Sequence, residues 1–355
     1  MRKYYTRACN FYYGKQAKNL IKKKFGLPLC GLHTTAFTKI EILSRDKKFK
    51  SKVIKIQEIK NLRLDIKKII QKDIKRIVSR RKKIGKSLDL KHPLIMGILN
   101  LTPDSFSDGG LYNNKNKSFL HVEKMIKDGA NIIDVGGEST RPGSKQISYL
   151  DEWSRIKTVI EKFKKKYSKI LLSVDTRKSD IMLNSIKNKA DVINDVSGFN
   201  YDNDAIKKIK KYKVYKVLHH MQGTPNTMQI NPKYKNVLLD IYDFFEKKLN
   251  KDFKEFKDKK FILDPGIGFG KNLKHNLILM NKISLFHSLG FPLLIGTSRK
   301  RFISQISGKF DNKERLGGTM ASILFTLSQG VQIFRVHNVE EVKQGVLVYK
   351  KLLNQ

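Results

Sequence analysis

The sequence is short of cysteine, of acidic residues and of long apolar runs, and each shortage excludes something. Two cysteines among 355 residues, Cys9 and Cys30, cannot build a disulfide framework, and their spacing matches no zinc site. No stretch reaches the roughly 18 consecutive apolar residues of a membrane span. The start, Met1-Arg2-Lys3-Tyr4-Tyr5, lacks the apolar segment of a secretion signal. The expectation is a cytoplasmic chain with no membrane partner. Acidic residues number 32 against 73 Lys plus Arg, a net charge of +41. That balance invites a nucleic-acid reading. The basic residues are 59 Lys and only 14 Arg, however, and the arginine fork is what readers of phosphate and guanine exploit. The composition therefore speaks against nucleic acid as a partner. With 40% hydrophobic residues, including 20 Phe and 13 Tyr, the chain can fill a core, which excludes wholesale disorder.

The charge is uneven. Residues 1–90 hold 27 basic and 6 acidic residues, so a quarter of the chain carries half the net charge. This segment reads as a basic N-terminal extension of unassigned function. Tyr4, Tyr5, Phe11, Tyr12 and Tyr13 give it an aromatic start. Strands are expected over Ala36 to Leu43 and Ser51 to Ile59, and a lysine-rich helix over Asn61 to Arg81. The expected form is a small α/β appendage packed on the main domain or on a partner subunit.

Residues 91–355 follow a different rule. Short β-rich runs end in polar or glycine-bearing turns, and longer amphipathic stretches follow them. The runs are Leu94 to Leu99, Asn131 to Val135, Ile170 to Val174, Asp191 to Asn194, Val214 to His219, Phe261 to Leu263, Pro292 to Ile295 and Val331 to Val336. Eight such units predict an α/β fold of the (β/α)8 TIM-barrel type. A doubly wound open sheet would want a glycine fingerprint after its first strand, and none follows Leu99.

A barrel carries its active site where the strands end. Asp175, Asn194 and Asp264 each close a run. Alone, each reads as a helix cap or turn residue. Together they form a ring able to satisfy a flat heterocycle with adjacent amino and N–H groups. Lys300 follows the seventh run, where such barrels often bind anions. Arg335 and His337 lie two apart on the eighth and share a face, a pair suited to a diphosphate. Asn100 opens a loop containing Phe106, which reads as a mobile lid, and Gly136 to Gly143 is a second such loop. Two features carry less. Gly266-Ile267-Gly268-Phe269-Gly270-Lys271 resembles a phosphate loop without the Walker spacing. His219 and His220 are adjacent on a strand and point to opposite faces, so they cannot readily share a metal.

Several motifs resemble those of one family, the dihydropteroate synthases of folate biosynthesis, which sulfonamides inhibit. They are Met96 to Gly110, Asp134 to Gly143, Ser173-Val174-Asp175-Thr176, Ile193-Asn194-Asp195-Val196, Asp264 to Lys271, Ser298-Arg299-Lys300 and Arg335-Val336-His337. The resemblance implies a transferase that joins para-aminobenzoate to a dihydropterin-methyl diphosphate and releases pyrophosphate. By the family's pattern, Asp175, Asn194, Asp264, Lys300 and Thr140 hold the pterin. Asn100, Arg335 and His337 hold the diphosphate, with Mg²⁺ near Asn100. Phe106, Thr140, Arg141, Pro142, Phe269 and Arg301 border the aminobenzoate and the lids. Lys300, Asp175, Arg335 and His337 are the residues it marks as catalytic, in a dissociative substitution. It also implies a homodimer. Arg301 stands where many members carry Ser.

Overall fold

Inward and outward residues alternate along each strand, and this alternation builds the barrel. In the computed structural model, which describes residues 2–85, 88–102, 115–141, 143–256 and 258–354, the chain from Leu94 onward contains eight parallel strands. They are β5 (Leu94–Asn100), β6 (Ile132–Gly136), β7 (Leu171–Asp175), β8 (Val192–Asp195), β9 (Tyr215–His219), β10 (Phe261–Asp264), β11 (Leu294–Ile295) and β12 (Ile333–Val336). Their order is β10-β9-β8-β7-β6-β5-β12-β11, and a parallel bridge between Leu263 and Leu293 joins the two ends. Each expected run contains its observed strand to within a residue or two.

The lower inner face is apolar: Leu94, Met96, Ile132, Leu171, Val192, Tyr215, Val217, Ile262, Leu294 and Ile333 form one buried cluster. The outward residues between them, such as Ile95, Ile133, Leu172, Ile193, Leu218 and Phe334, pack against the surrounding helices in a second core. Ile84 and Leu90 join the inner cluster from outside the barrel strands, with Ile84 bridged to Leu88. The residues just before β5 therefore form a floor to the barrel.

The helices start where the sequence can cap them. In α4 (Tyr149–Lys166) the Ser148 hydroxyl accepts from the Asp151 amide at 3.1 Å. Asp151 and Glu152 sit in its first turn and Lys164 to Lys166 in its last, matching the helix dipole at both ends. Asn236 caps α7 (Val237–Asn250), and Asn272 caps α8 (Leu273–Asn281). α10 (Leu316–Ser328) and α11 (Val339–Leu353) flank the last two strands.

The extension is a small antiparallel sheet with helices, packed on the barrel. Its strands are β1 (Tyr4–Tyr13), β2 (Leu27–Leu29), β3 (Leu32–Ser44) and β4 (Lys52–Lys55). β3 is central and pairs with the other three. The aromatic start, to which the sequence assigned no element, is a full strand, and its two faces meet two different cores. Tyr4 and Ala8 face the extension's own cluster, which includes Ile70 and Ile77 of α2 (Leu64–Val78). Tyr5 enters the barrel core, edge-on to Tyr242 at 5.1 Å. The strand expected over Ser51 to Ile59 breaks after Lys55, where the Glu58 carboxylate accepts from the Lys55 amide at 2.7 Å and opens a 3₁₀ turn. Ion pairs fasten the appendage to α7: Arg45 binds Asp240 at 2.8 Å and Asp243 at 2.7 Å, and Arg2 binds Glu246 at 2.8 Å.

Candidate active site

Two residues beyond the apolar layer, the inner face turns polar. Ile132 gives way to Asp134, Leu171 to Ser173 and then Asp175, Val192 to Asn194, Val217 to His219, Ile262 to Asp264, and Ile333 to Arg335. Strand register sets these groups side by side: Asn100 opposite Gly136, Gly136 opposite Asp175, Asp175 opposite Asn194, and His219 opposite Asp264.

They open onto one cavity of about 890 Å³. Asn100, Thr140, Arg141, Asn194, Asp264, Phe269, Lys300, Arg301, Arg335 and His337 all line it. Asp175 joins through Arg335, whose Nη2 donates to its Oδ2 at 2.9 Å. Of the sequence candidates only Phe106 and Pro142 lie outside the described residues, as does most of the first loop.

The centre of the site is a buried ionic cluster. Arg335 Nε donates to Asp134 Oδ2 at 2.6 Å. Asp134 also accepts from Ser173 Oγ at 2.5 Å and from Asn194 Nδ2 at 3.1 Å. Burial raises the Asp175 carboxyl above its ordinary range, the Arg335 charge opposes this, and Asp134 adds to it. Asp264 is likewise pushed up to about 6 by burial, against the Gly266 amide, which donates to Oδ1 at 2.8 Å, and the nearby lysines. Lys300 is drawn down to about 8 by burial and by the Arg335 charge. Its ammonium lies 4.0 Å from the Phe269 ring centre. His337 is held near 3 by burial and by the surrounding Arg and Lys charges, so it is neutral. Its Nδ1 lies 3.0 Å from Ser298 Oγ.

The glycine-rich loop after β10 holds no phosphate cradle of the Walker kind. Its glycines answer to crowding. Gly266 and Gly270 have φ of +70° and +61°, and a Cβ on them would fall 2.0 Å from the His220 carbonyl oxygen and 2.5 Å from that of Gln222. Lys271 points into the protein and donates to the Phe269 carbonyl at 2.8 Å and the His220 carbonyl at 3.2 Å, with His220 Nδ1 at 3.1 Å. This brace fixes the loop that carries Phe269. The two histidines do face apart, as strand alternation requires. Among the described residues no group of three His, Cys, Asp or Glu is placed to hold a metal ion.

Sequence reasoning passed over Asp134, although a carboxylate inside an apolar strand run was the available signal. It also passed over a second ionic cluster behind the Thr140 loop. There Glu138 accepts from Arg177 at 2.7 Å, from Lys178 at 3.2 Å and from the Ile147 amide at 3.2 Å, closing the loop at its base.

The comparisons with known proteins agree with this geometry. The sequence profile of the pterin binding enzymes matches residues 96–337. The dihydropteroate synthase of Escherichia coli K12 is 41% identical over 271 residues, 76% of this chain and 95% of that protein. That of Yersinia pestis, solved with a sulfonamide drug, superposes with a TM-score of 0.73 at 37% identity, over 77% of this chain and 99% of the other. That of Xanthomonas albilineans, solved with 4-aminobenzoic acid, gives a TM-score of 0.69 at 32% identity, over 75% and 94%. The profile match begins within β5, so the extension lies outside it.

Proposed function

The chain belongs to the dihydropteroate synthases, transferases among the pterin binding enzymes, and from that premise we propose how its own residues divide the reaction. The substrates are a dihydropterin-methyl diphosphate and para-aminobenzoate. Asp175, Asn194 and Asp264 take the pterin, their carboxylates accepting from its N–H and amino groups. Lys300 adds a cation beside it, and Thr140 borders it. The observation that carries this reading is the ring of strand-end carboxylates and amide above an apolar barrel floor, where an unpaired partner is expensive.

Arg335 and His337 take the diphosphate. Arg335 uses Nε and Nη2 on Asp134 and Asp175, and its Nη1 has no hydrogen-bond partner among the described residues. Neutral His337 donates through Nε2 when the Ser298 hydroxyl donates to its Nδ1. Asn100 offers one amide oxygen near the same end. A hard-oxygen donor of that kind, together with diphosphate oxygens and water, fits Mg²⁺, which favours few protein ligands. When bound there, Mg²⁺ would neutralise charge on the departing diphosphate.

The substitution is dissociative in this reading. Arg335, Lys300 and His337 stabilise the leaving diphosphate, while the dihydropterin spreads the positive charge left on its methylene. The arylamine then attacks from the side of Thr140, Arg141, Phe269 and Arg301. The loops bearing Phe106 and Pro142 would exclude water. In this reading the chain works in the cytoplasm. No helix among the described residues is long and apolar enough to cross a membrane. Exposed Phe325 on α10 and Leu347, Val348 and Leu352 on α11 support a homodimer through those helices.

The test is pyrophosphate release with and without para-aminobenzoate. Release that depends on the arylamine and yields dihydropteroate supports the reading. No release with both substrates present overturns it.

A further inference from the structure

One polar group on the cavity wall has no role in the scheme above. His219 is the third inward residue of β9, above Tyr215 and Val217, and lies in register with Asp264. It lines the cavity. We propose that His219 is a specificity-determining residue of the pterin subsite, its Nε2 accepting one N–H of the bound heterocycle. The inference rests on the function proposed above and adds a contact to it.

The hydrogen bonding decides the tautomer. His219 Nδ1 lies 2.8 Å from the Val196 carbonyl oxygen, which can only accept, so Nδ1 carries the proton. Nε2 is then a lone-pair acceptor, and it has no hydrogen-bond partner among the described residues. The ring cannot turn away. The Phe269 ring meets it at 87° with centres 4.6 Å apart. Gly266 fits against its edge only because it lacks a side chain, since a Cβ there would fall 2.9 Å from Cε1 and 3.1 Å from Nε2. Burial and the charges of Lys271, Lys300 and Arg335 hold the imidazole well below its ordinary pKa, so it does not become a donor in the neutral range.

A fixed acceptor on the pocket wall selects by chemistry. It favours a heterocycle that presents N–H at that edge and rejects one that presents a ring nitrogen or oxygen lone pair. Asp175 and Asp264 alone would not make that distinction at the β9 side of the ring.

The test is calorimetric titration of hydroxymethyl dihydropterin into the full chain. His219→Met removes the acceptor at similar volume, and His219→Gln offers an amide carbonyl in its place. His219→Met should weaken binding about tenfold, and His219→Gln should recover part of the loss. In the wild-type protein, the ¹⁵N resonance of His219 Nε2 should move upfield on pterin addition, a readout that needs no variant to fold. Unchanged affinity in His219→Met, or an Nε2 resonance that ignores the ligand, overturns this inference while leaving the function intact. A wild-type protein that binds no dihydropterin overturns the function and this inference together.

Discussion

The lower and upper halves of the barrel interior hang on the same strands, two residues apart, yet they obey opposite rules. The lower half is Leu, Ile, Val, Met and Tyr in mutual contact. Each such side chain contributes about 1.5–3 kcal/mol by leaving water. The upper half buries Asp134, Asp175, Asn194, His219 and Asp264 and half-buries Arg335, groups that gain nothing from burial itself. The titrations of Asp264 and Lys300 show the cost. Asp264 is raised, so the stability it contributes is present in acid and lost as pH rises through about 6. Lys300 is lowered, so its contribution is lost as pH falls toward about 8. At neutral pH both oppose the ligand-free fold. The lower half holds the barrel together, and the upper half is kept ready for a ligand at that half's expense.

Substitutions should separate the halves. The largest effect is expected from Asp264→Asn, which should weaken dihydropterin binding about a hundredfold while the thermal midpoint stays level or rises. Calorimetric titration beside a thermal melt measures both, and a fall in stability matching the loss of affinity would erase the contrast. Next, Ile262→Ala, two residues below on the same strand, should lower stability by about 2–4 kcal/mol in denaturant unfolding. The folded enzyme's pterin affinity should change by no more than about threefold, because the deleted atoms lie beneath the site.

The pH profile tests the upper half by itself. Activity should fall as pH drops through about 6, where Asp264 takes a proton and stops accepting from the pterin. It should fall again above about 8, where Lys300 loses its charge. An acidic limb that disappears in Asp264→Asn belongs to Asp264, one that stays belongs to Asp175, and an alkaline limb that moves up in Lys300→Arg belongs to Lys300. The smallest effect belongs to the extension. Tyr5→Phe removes the hydroxyl that donates to Asp243 at 2.8 Å, leaves the ring in the barrel core, and should lower stability by about 1 kcal/mol without changing pterin affinity.

Much of this was legible in the sequence because a (β/α)8 barrel ties function to position. Asn194 and Asp264 stood at strand ends and proved to share a cavity with Lys300, Arg335 and His337. Asp134 was hidden because it lies two residues before its strand's end and acts through Arg335. Lys271 was misleading because its glycine context suggested phosphate, whereas close packing explains the glycines. β1 escaped because both of its faces are covered, which removes the apolar–polar alternation a half-exposed strand shows. Register and packing decide such cases, and neither is written in a local window.

The short strand β11 has a last consequence. The barrel closes between β10 and β11 through the single Leu263–Leu293 bridge. Asp264 stands on one side of that seam, with Lys300 and Arg335 on the other. A ligand gripped by both sides acts as a clasp on an otherwise thinly stitched hoop. A hoop completed in that way should unfold less readily with a pterin bound than without one.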